Sequence, residues 1–583
     1  MTILSLKMKI ALFKKTTEII FLLLLILGMV ILTSPKYSSR FMRKPSDHVF
    51  VGMQGYFEDY YYYLDQFNQG KEGKWLTENR FSVERFPPTI IYFNHLLMGR
   101  IGGLFGWESF QSFNYFGLFF KFLFIGISYY LLVCYITIPK RHKIIAFLIF
   151  LFSSSFPSFI IKQGSLIMSE SVDVWRTSNR ILSRFGTSPP NNLLVNFLFV
   201  GLLIILLGIF QSEFTVINKN KHNHLEGRAI SSKLFLIIFV IFSYILLTLG
   251  DLVVSSVLLA TCYILLFIRK IPLEKFSILP VFKTITVIFS FIMLFISVIT
   301  LQSVFADPVY KLANSWDIYQ YHQQIKAIGL MNFIKGFGML LPLFLAGLVF
   351  LLRKKDRSIY DDAAIIIVLL AWSGYLIPLI FQLPIPGFRF LFPAVYIFMS
   401  IMGMYTLIKI AKKIRLAYSL PLLIILFVCI NLLSLYPGWI KSVKPVVEPD
   451  YHFAYIPNDL YQGLIFLRTA EPKNSNVLAS PATEIDLMIP GISGRYVYSG
   501  HFLTSYNSKD KDIQANELLF GQKESLTAQN FLKENNIGFI VATKYVGASR
   551  EIIKTKYPFL KIVFENPMVT IFQFDPGHKN FKN

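Results

Sequence analysis

The stretch EIIFLLLLILGMVILTS (residues 18–34) is almost wholly apolar and follows Lys7, Lys9, Lys14 and Lys15. A helix of about 20 apolar residues crosses the hydrocarbon core of a bilayer. The run is long for a secretory signal and carries no A-x-A cleavage site, so it reads as an uncleaved first span. Comparable runs recur as far as residue 436. Together they give about eleven spans: 17–34, 113–138, 144–161, 191–211, 233–250, 252–268, 278–302, 336–352, 362–381, 390–408 and 418–436. The expected fold class is therefore a polytopic α-helical membrane protein (about eleven transmembrane helices) with a small C-terminal α/β extracytoplasmic domain.

Composition agrees. The 583 residues are 54% hydrophobic and only 16% charged, whereas soluble domains carry roughly 25% charge. The net charge of +23 does not point to nucleic acid, because the basic residues fall in short clusters between apolar runs. These clusters are Lys140, Arg141 and Lys143; Lys219, Lys221 and Arg228; Arg269 and Lys270; Arg353, Lys354, Lys355 and Arg357; and Lys409, Lys412, Lys413 and Arg415. With a cytoplasmic N-terminus, the positive-inside rule puts every cluster in the cytoplasm. The long polar segments then share the outer face: a first loop (35–112), a second loop (162–190), the segment 303–335, a turn at 382–389 and the tail (437–583). Two domains follow, a membrane domain over 1–436 and an extracytoplasmic domain over 437–583. In the tail, NVLAS (476–480) and YVYSG (496–500) read as strands. TAQNFLKENNIGFIVAT (527–543) reads as a helix and a buried strand, and KIVFENPMVTIFQFD (561–575) as a hairpin.

Chemistry concentrates in the outer segments. GYFEDYYYYLD (55–65) reads as a short helix with Glu58, Tyr62 and Asp65 on one face and Asp59 near Tyr62 and Tyr63. Its tyrosines suit the headgroup layer. A carboxylate held there beside aromatic walls is suited to take a proton from a hydroxyl; the alternative is an ordinary solvated helix. Glu84 follows in ENRFSVERFPP. His95 and Arg100 interrupt TIIYFNHLLMGRIGGLFGW (89–107), which reads as interfacial or re-entrant. In the second loop, Arg176, Arg180 and Arg184 recur every four residues, as one helical stripe of guanidiniums suited to phosphate or to lipid headgroups. Asp251, between two spans, reads as an N-cap. Arg389, in QLPIPGFRFLFP (382–393), is an outer-face arginine that runs against the positive-inside trend and so suggests a phosphate partner. His501, in YSGH, reads as structural. Cys134, Cys262 and Cys429 lie within apolar runs and form no disulfide or zinc pattern. No Walker loop, HExxH or GxSxG in a suitable context is present.

These features together bear a likeness. A single span is followed by a long outer loop with an acidic pair, EDYYYYLDQFNQGKEGKW…RFSVERFPPTIIYFNHLLMGRIGGLFG (58–106). A second outer loop ends in SPPNN, FRFLFP opens a late span, and the tail carries VLASPATEIDLMIPGISGRYVYSGH (477–501). The chain resembles the GT-C superfamily of integral-membrane glycosyltransferases, which use polyprenyl-phosphate-linked sugars, and is similar to a bacterial branch of it. The resemblance implies an inverting glycosyltransferase of the plasma (inner) membrane that moves a sugar from a polyprenyl-phosphate donor to a glycan, lipid or protein acceptor. It implies Asp59 as the catalytic base, with Glu58 as the alternative. It implies Arg389 as a contact of the lipid phosphate. From the residues themselves, one of Arg176, Arg180 and Arg184 is expected to join it on the phosphate, and Glu84 and His95 are further candidate substrate contacts. Asn191 stands where relatives often carry a histidine. Oligosaccharyltransferases of the superfamily use a divalent metal and a WWD-type motif; no such motif occurs here, which argues against peptide N-glycosylation and leaves the cofactor open. The competing readings are a non-enzymatic carrier or flippase for a lipid-linked glycan and a cell-envelope scaffold.

The sidedness has a direct check. A cysteine at Lys509 in the tail is expected to react with a membrane-impermeant maleimide in intact cells. Protection until lysis would put the tail in the cytosol and remove the transferase reading.

Overall fold

A computed structural model describes residues 3–135, 138–186, 189–219, 230–269, 280–414, 418–447, 451–546 and 549–575. Lys221, Arg228, Lys270, Arg415 and Ser188 of SPPNN lie outside the described residues, as do the expected span ends at 136–137 and 278–279 and the side chains of Lys7, Lys9, Lys14, Lys15 and Lys219. The chain forms two compact units. One comprises 1–38, 117–295 and 318–443; the other comprises 39–116, 296–317 and 444–583. Residues 39–112 of the first outer loop and 444–583 of the tail thus belong to one unit.

The first unit is helical and holds all or part of each long apolar helix. Among the described residues, six helices are long and apolar enough to cross a bilayer: Ser109–Cys134, Pro190–Ser212, Val281–Ala306, Ile359–Ile380, Val395–Ile414 and Ser419–Val443. Two bent pairs, Glu18–Leu32 with Pro35–Met42 and Pro308–Phe337 with Leu340–Leu352, raise the number to eight if each pair is one span. The chain is a multi-pass membrane protein. The remaining apolar runs form shorter helices. Phe235–Gly250 and Leu252–Ile268 are separated by Asp251, which accepts hydrogen bonds from the Val253 and Val254 amides at 2.8 and 3.1 Å. It is the N-cap its position suggests. The span expected at 144–161 ends early: Lys140–Phe152 is helical, and the chain then leaves the helix at the SSSFPS stretch, where serines and Pro157 disfavour continuation. Ser158–Lys162 and Ser165–Ser169 form an antiparallel hairpin instead. Gln163 and Gly164 at its turn both take positive φ, the geometry that fits strand twist.

Helices pack closely where small residues allow it. A Cβ on Gly347 would run into the Met402 carbonyl of the Val395–Ile414 helix, and Thr406 Oγ1 donates to Leu343 O at 2.7 Å. Buried amides tie other segments: Asn431 accepts from Ser154 N at 2.7 Å and Asn196 from Ala394 N at 2.8 Å. Such contacts matter in lipid, where apolar burial alone gives helices little reason to associate.

The second unit is α/β. The tail has a four-stranded sheet in the order Asn476–Ala479, Ile537–Thr543, Val569–Gln573, Lys561–Glu565, with the first pair parallel and the others antiparallel. The strand at 476–480, the helix and strand within 527–543 and the hairpin within 561–575 match expectation. The strand expected at 496–500 reduces to isolated bridges, Val477 with Val497 and Ser82 with Ser499. The first loop is sewn to the tail by His48–Phe50 pairing antiparallel with Tyr455–Pro457. The acidic segment forms the helix Phe57–Lys71. It crosses the 12-residue helix Phe93–Leu104 at Gly70 and Gly99, where a Cβ would strike the Leu96 and Phe67 carbonyls. That second helix is too short to span.

Valine at Gly347 is expected to lower thermal stability in detergent by roughly 1–3 kcal/mol through overpacking. Valine at Gly208, whose added Cβ meets no atom within 4 Å, serves as the control. Equal melting points would show that the Gly347 crossing is not close-packed.

Candidate functional site

The acidic helix starts at Tyr56, which provides no side-chain cap, and puts Glu58 and Asp59 in its first turn. Carboxylates there are favoured by the helix dipole. The tyrosines that follow are not a headgroup belt. Tyr60, Tyr61 and Tyr62 are buried; the Tyr60 hydroxyl donates to Val51 O and the Tyr61 hydroxyl to Phe453 O at 2.8 Å. Asp65 is also consumed internally. It lies 3.4 Å from the buried Arg80 guanidinium, which also pairs with Glu72, and it accepts from Gln69 Nε2 at 2.7 Å. Burial pushes the Asp65 carboxyl up to about 7 against the pull of Arg80. Asp59 differs, with its side chain 51% exposed.

The side chain facing Asp59 comes from the tail. His501 Nε2 lies 3.8 Å from Asp59 Oδ1, and the ring is only 4% exposed. Local structure accounts for its placement. Val497 N donates to Arg80 O at 2.9 Å, Ser82 bridges Ser499, and Ser505 Oγ donates to Phe81 O. The tail segment is thereby laid along residues 80–82. Gly500 permits this, since a Cβ there would sit 2.9 Å from the Phe81 ring. The imidazole stacks on Phe502 with centroids 5.1 Å apart and packs on Tyr62 at 5.7 Å. Its Nδ1 accepts the Leu503 amide at 3.1 Å. The neutral ring therefore carries its proton on Nε2, toward Asp59. No sequence motif announces this pairing, and the reading of His501 as a lone structural residue missed it.

Two other first-loop candidates are committed elsewhere. Glu84 pairs with Lys511 and accepts from Ser82 Oγ, so it joins the loop to the tail. His95 is buried against Tyr63, Phe67 and Tyr92, and neither ring nitrogen has a hydrogen-bond partner. Burial holds its pKa down at about 3. A neutral imidazole closed off in this way is a packing residue rather than a phosphate contact.

The arginines belong to the first unit, and the expected stripe does not form. Only Ile181–Phe185 is helical, with Arg180 extended at its N-cap, and Arg176 and Ser178 adopt positive φ. The four-residue recurrence is thus spread over irregular backbone. Arg184 is fully buried. Its guanidinium donates to Ser178 O, Phe150 O, Ser153 Oγ and Ser153 O at 2.6–3.2 Å, which makes it a structural pin. Arg180 is paired with Asp173 at 3.1 Å and Glu170 at 3.8 Å. Arg176 and Arg389 are exposed and flank one ring: their guanidinium carbons lie 5.4 and 5.5 Å from the centroid of the buried Phe388. Arg389 sits on the turn Gly387–Phe390, within electrostatic reach of Asp251. Among the described residues, no group of three or more His, Cys, Asp or Glu side chains is arranged to hold a metal.

No protein-family model matches the sequence, and no curated protein matches it. Solved structures do, 21 chains in number. The Archaeoglobus fulgidus oligosaccharyltransferase, in complex with Zn and sulfate, is 14% identical with a TM-score of 0.50; the match covers 95% of this chain and 73% of that one. Arabinofuranosyltransferase AftD from Mycobacteria is 11% identical with a TM-score of 0.51, over 95% of this chain and 41% of AftD. ArnT from Cupriavidus metallidurans bound to undecaprenyl phosphate is 12% identical with a TM-score of 0.44, over 96% and 98%. The chain shares the fold of the oligosaccharyltransferase and of AftD. At these identities the likeness is one of fold.

The buried His95 makes a pH-dependent prediction. Between about 3, its value in the folded protein, and 6.5, its ordinary value, the unfolded chain binds a proton that the folded chain does not. Its share of stability is complete above pH 6.5 and is lost as pH falls toward 3, by about 1.4 kcal/mol per pH unit. Thermal melts at pH 7 and pH 5 should show a larger loss in the wild type than in His95→Phe; Asp65 titrates in both proteins and cancels. Equal losses would contradict a neutral buried ring.

Proposed function

We propose that this chain is an inverting glycosyltransferase that moves a sugar from a polyprenyl-phosphate donor to an acceptor hydroxyl at the outer face of the plasma (inner) membrane. The observation that carries the reading is a half-exposed carboxylate, Asp59, at the head of the acidic first-loop helix in a chain of GT-C fold. The N-terminus is cytoplasmic and the tail extracytoplasmic, on the strength of the charge clusters.

The chemistry is assigned to side chains that stay exposed or half-exposed. Asp59 takes the proton of the acceptor hydroxyl as its oxygen attacks the anomeric carbon. The bond from that carbon to the phosphate oxygen breaks, and the electron pair leaves with the polyprenyl phosphate from the opposite face, which inverts the configuration. Arg389 and Arg176 stabilise the charge that develops on the leaving phosphate. Arg180 and Arg184 do not, since one is neutralised by carboxylates and the other is spent on backbone carbonyls. Glu58 is the alternative base, one position away on the same helix. A glycan carrier would use the same arginines and need no base.

The test is turnover of labelled polyprenyl-phosphate sugars by the purified protein in lipid vesicles. Asp59→Asn is expected to lower turnover about 10²–10⁴-fold, and Arg389→Ala about 10²-fold, with Glu58→Gln within a few-fold of wild type. Near-normal turnover by Asp59→Asn rules out this base. Movement of the intact donor across the bilayer without bond cleavage points to a carrier.

A further inference from the structure

We infer that His501 of the tail is a positioning residue for Asp59, so that the tail completes the catalytic apparatus rather than merely adjoining it. The inference rests on the reading of Asp59 as the base. Every freedom of the His501 ring is removed by a different neighbour. Phe502 stacks on it at an interplanar angle of 15°, Tyr62 packs on it at 5.7 Å, and the Leu503 amide occupies Nδ1. Its own carbonyl is held by the Thr504 and Ser505 amides at 2.8 Å each. A ring this fully restrained and 4% exposed presents one group outward, the Nε2–H, and that group faces a carboxylate.

The separation of 3.8 Å exceeds a hydrogen bond. Catalytic contacts of this kind often shorten when the substrate is bound. Nε2 faces Oδ1, which leaves Oδ2 for the acceptor hydroxyl. In the transfer step the acceptor proton goes to Asp59, while His501 keeps its own proton and donates a hydrogen bond to the carboxylate. The imidazole thus sets the rotamer of the base, and no net proton passes to it. Tyr62 serves both ends of this arrangement: it lies one turn beyond Asp59 on the acidic helix and carries the imidazole on its ring.

The experiment has an arm that reads contact and an arm that reads turnover. With ¹⁵N-labelled histidine, the His501 signals (assigned by their loss in His501→Gln) should show the Nε2-protonated tautomer. The Nε2 resonance should move in Asp59→Asn and stay in place in Glu58→Gln. In the vesicle assay, His501→Ala should lose about 10²-fold in kcat with KM little changed. His501→Gln, which retains an N–H donor, should recover most of that loss, and added imidazole should restore His501→Ala saturably. A merely structural histidine would give neither form of rescue. Full activity of His501→Ala beside an inactive Asp59→Asn overturns the positioning role and leaves the base assignment standing. Normal turnover in Asp59→Asn overturns both. An Nε2 signal indifferent to Asp59→Asn, or inactivity that neither glutamine nor imidazole relieves, overturns the positioning role alone.

Discussion

The second unit depends on one buried cation. Arg80 is 2% exposed and touches both partners that build the site. Its guanidinium holds Asp65 and Glu72 of the acidic helix, and its face lies over the Tyr496 ring at 5.7 Å. Its carbonyl receives the Val497 amide of the tail at 2.9 Å. A guanidinium removed from water must be met by charge and hydrogen bonds, and removing a partner typically costs about 3–5 kcal/mol. Arg80 thus joins the acidic helix to the tail, beside the strand pair 48–50 with 455–457 and the Glu84–Lys511 pair. Gly494 shows how tightly the junction closes, since an added Cβ would lie 3.0 Å from Asn68 Nδ2 and 3.1 Å from an Arg80 nitrogen.

The charged groups of the outer segments divide into those that are enclosed by partners and those that stay at least half-exposed. Arg184, Arg180, Glu84 and Asp65 each have counter-charges or backbone carbonyls arranged around them. A buried charge without such partners would be too costly to keep. Asp59, Arg176 and Arg389 are instead exposed or half-exposed, and both arginines lie near the Phe388 ring. The proposed reaction asks two functions of these groups, a base for a hydroxyl and cations for a departing phosphate.

The expectations that failed share a cause. The guanidinium stripe assumed that a four-residue recurrence means a helix, yet Arg176 and Ser178 take left-handed backbone and the helix begins only at Ile181. The tyrosine run assumed an interface, yet its hydroxyls found carbonyls of the first loop and of the tail inside the protein. The span at 144–161 assumed that apolar composition continues a helix, yet three serines and a proline turned the chain into a hairpin. In each case residue type was read correctly, and the partner that decides its use lay elsewhere.

Sequence alone determined the class of the protein. Whether a segment can lie in lipid is a property of the roughly 20 residues within it, and so the apolar runs, the basic clusters between them and the strands of the tail could all be read locally. The acidic pair was legible for the same reason. Only the tertiary structure decided that Asp59 faces His501, that Tyr60–Tyr62 are walls, and that Glu84 and Arg184 are already taken. The free energy of a desolvated polar group depends on the atoms placed against it, and those atoms come from segments that the fold alone brings near.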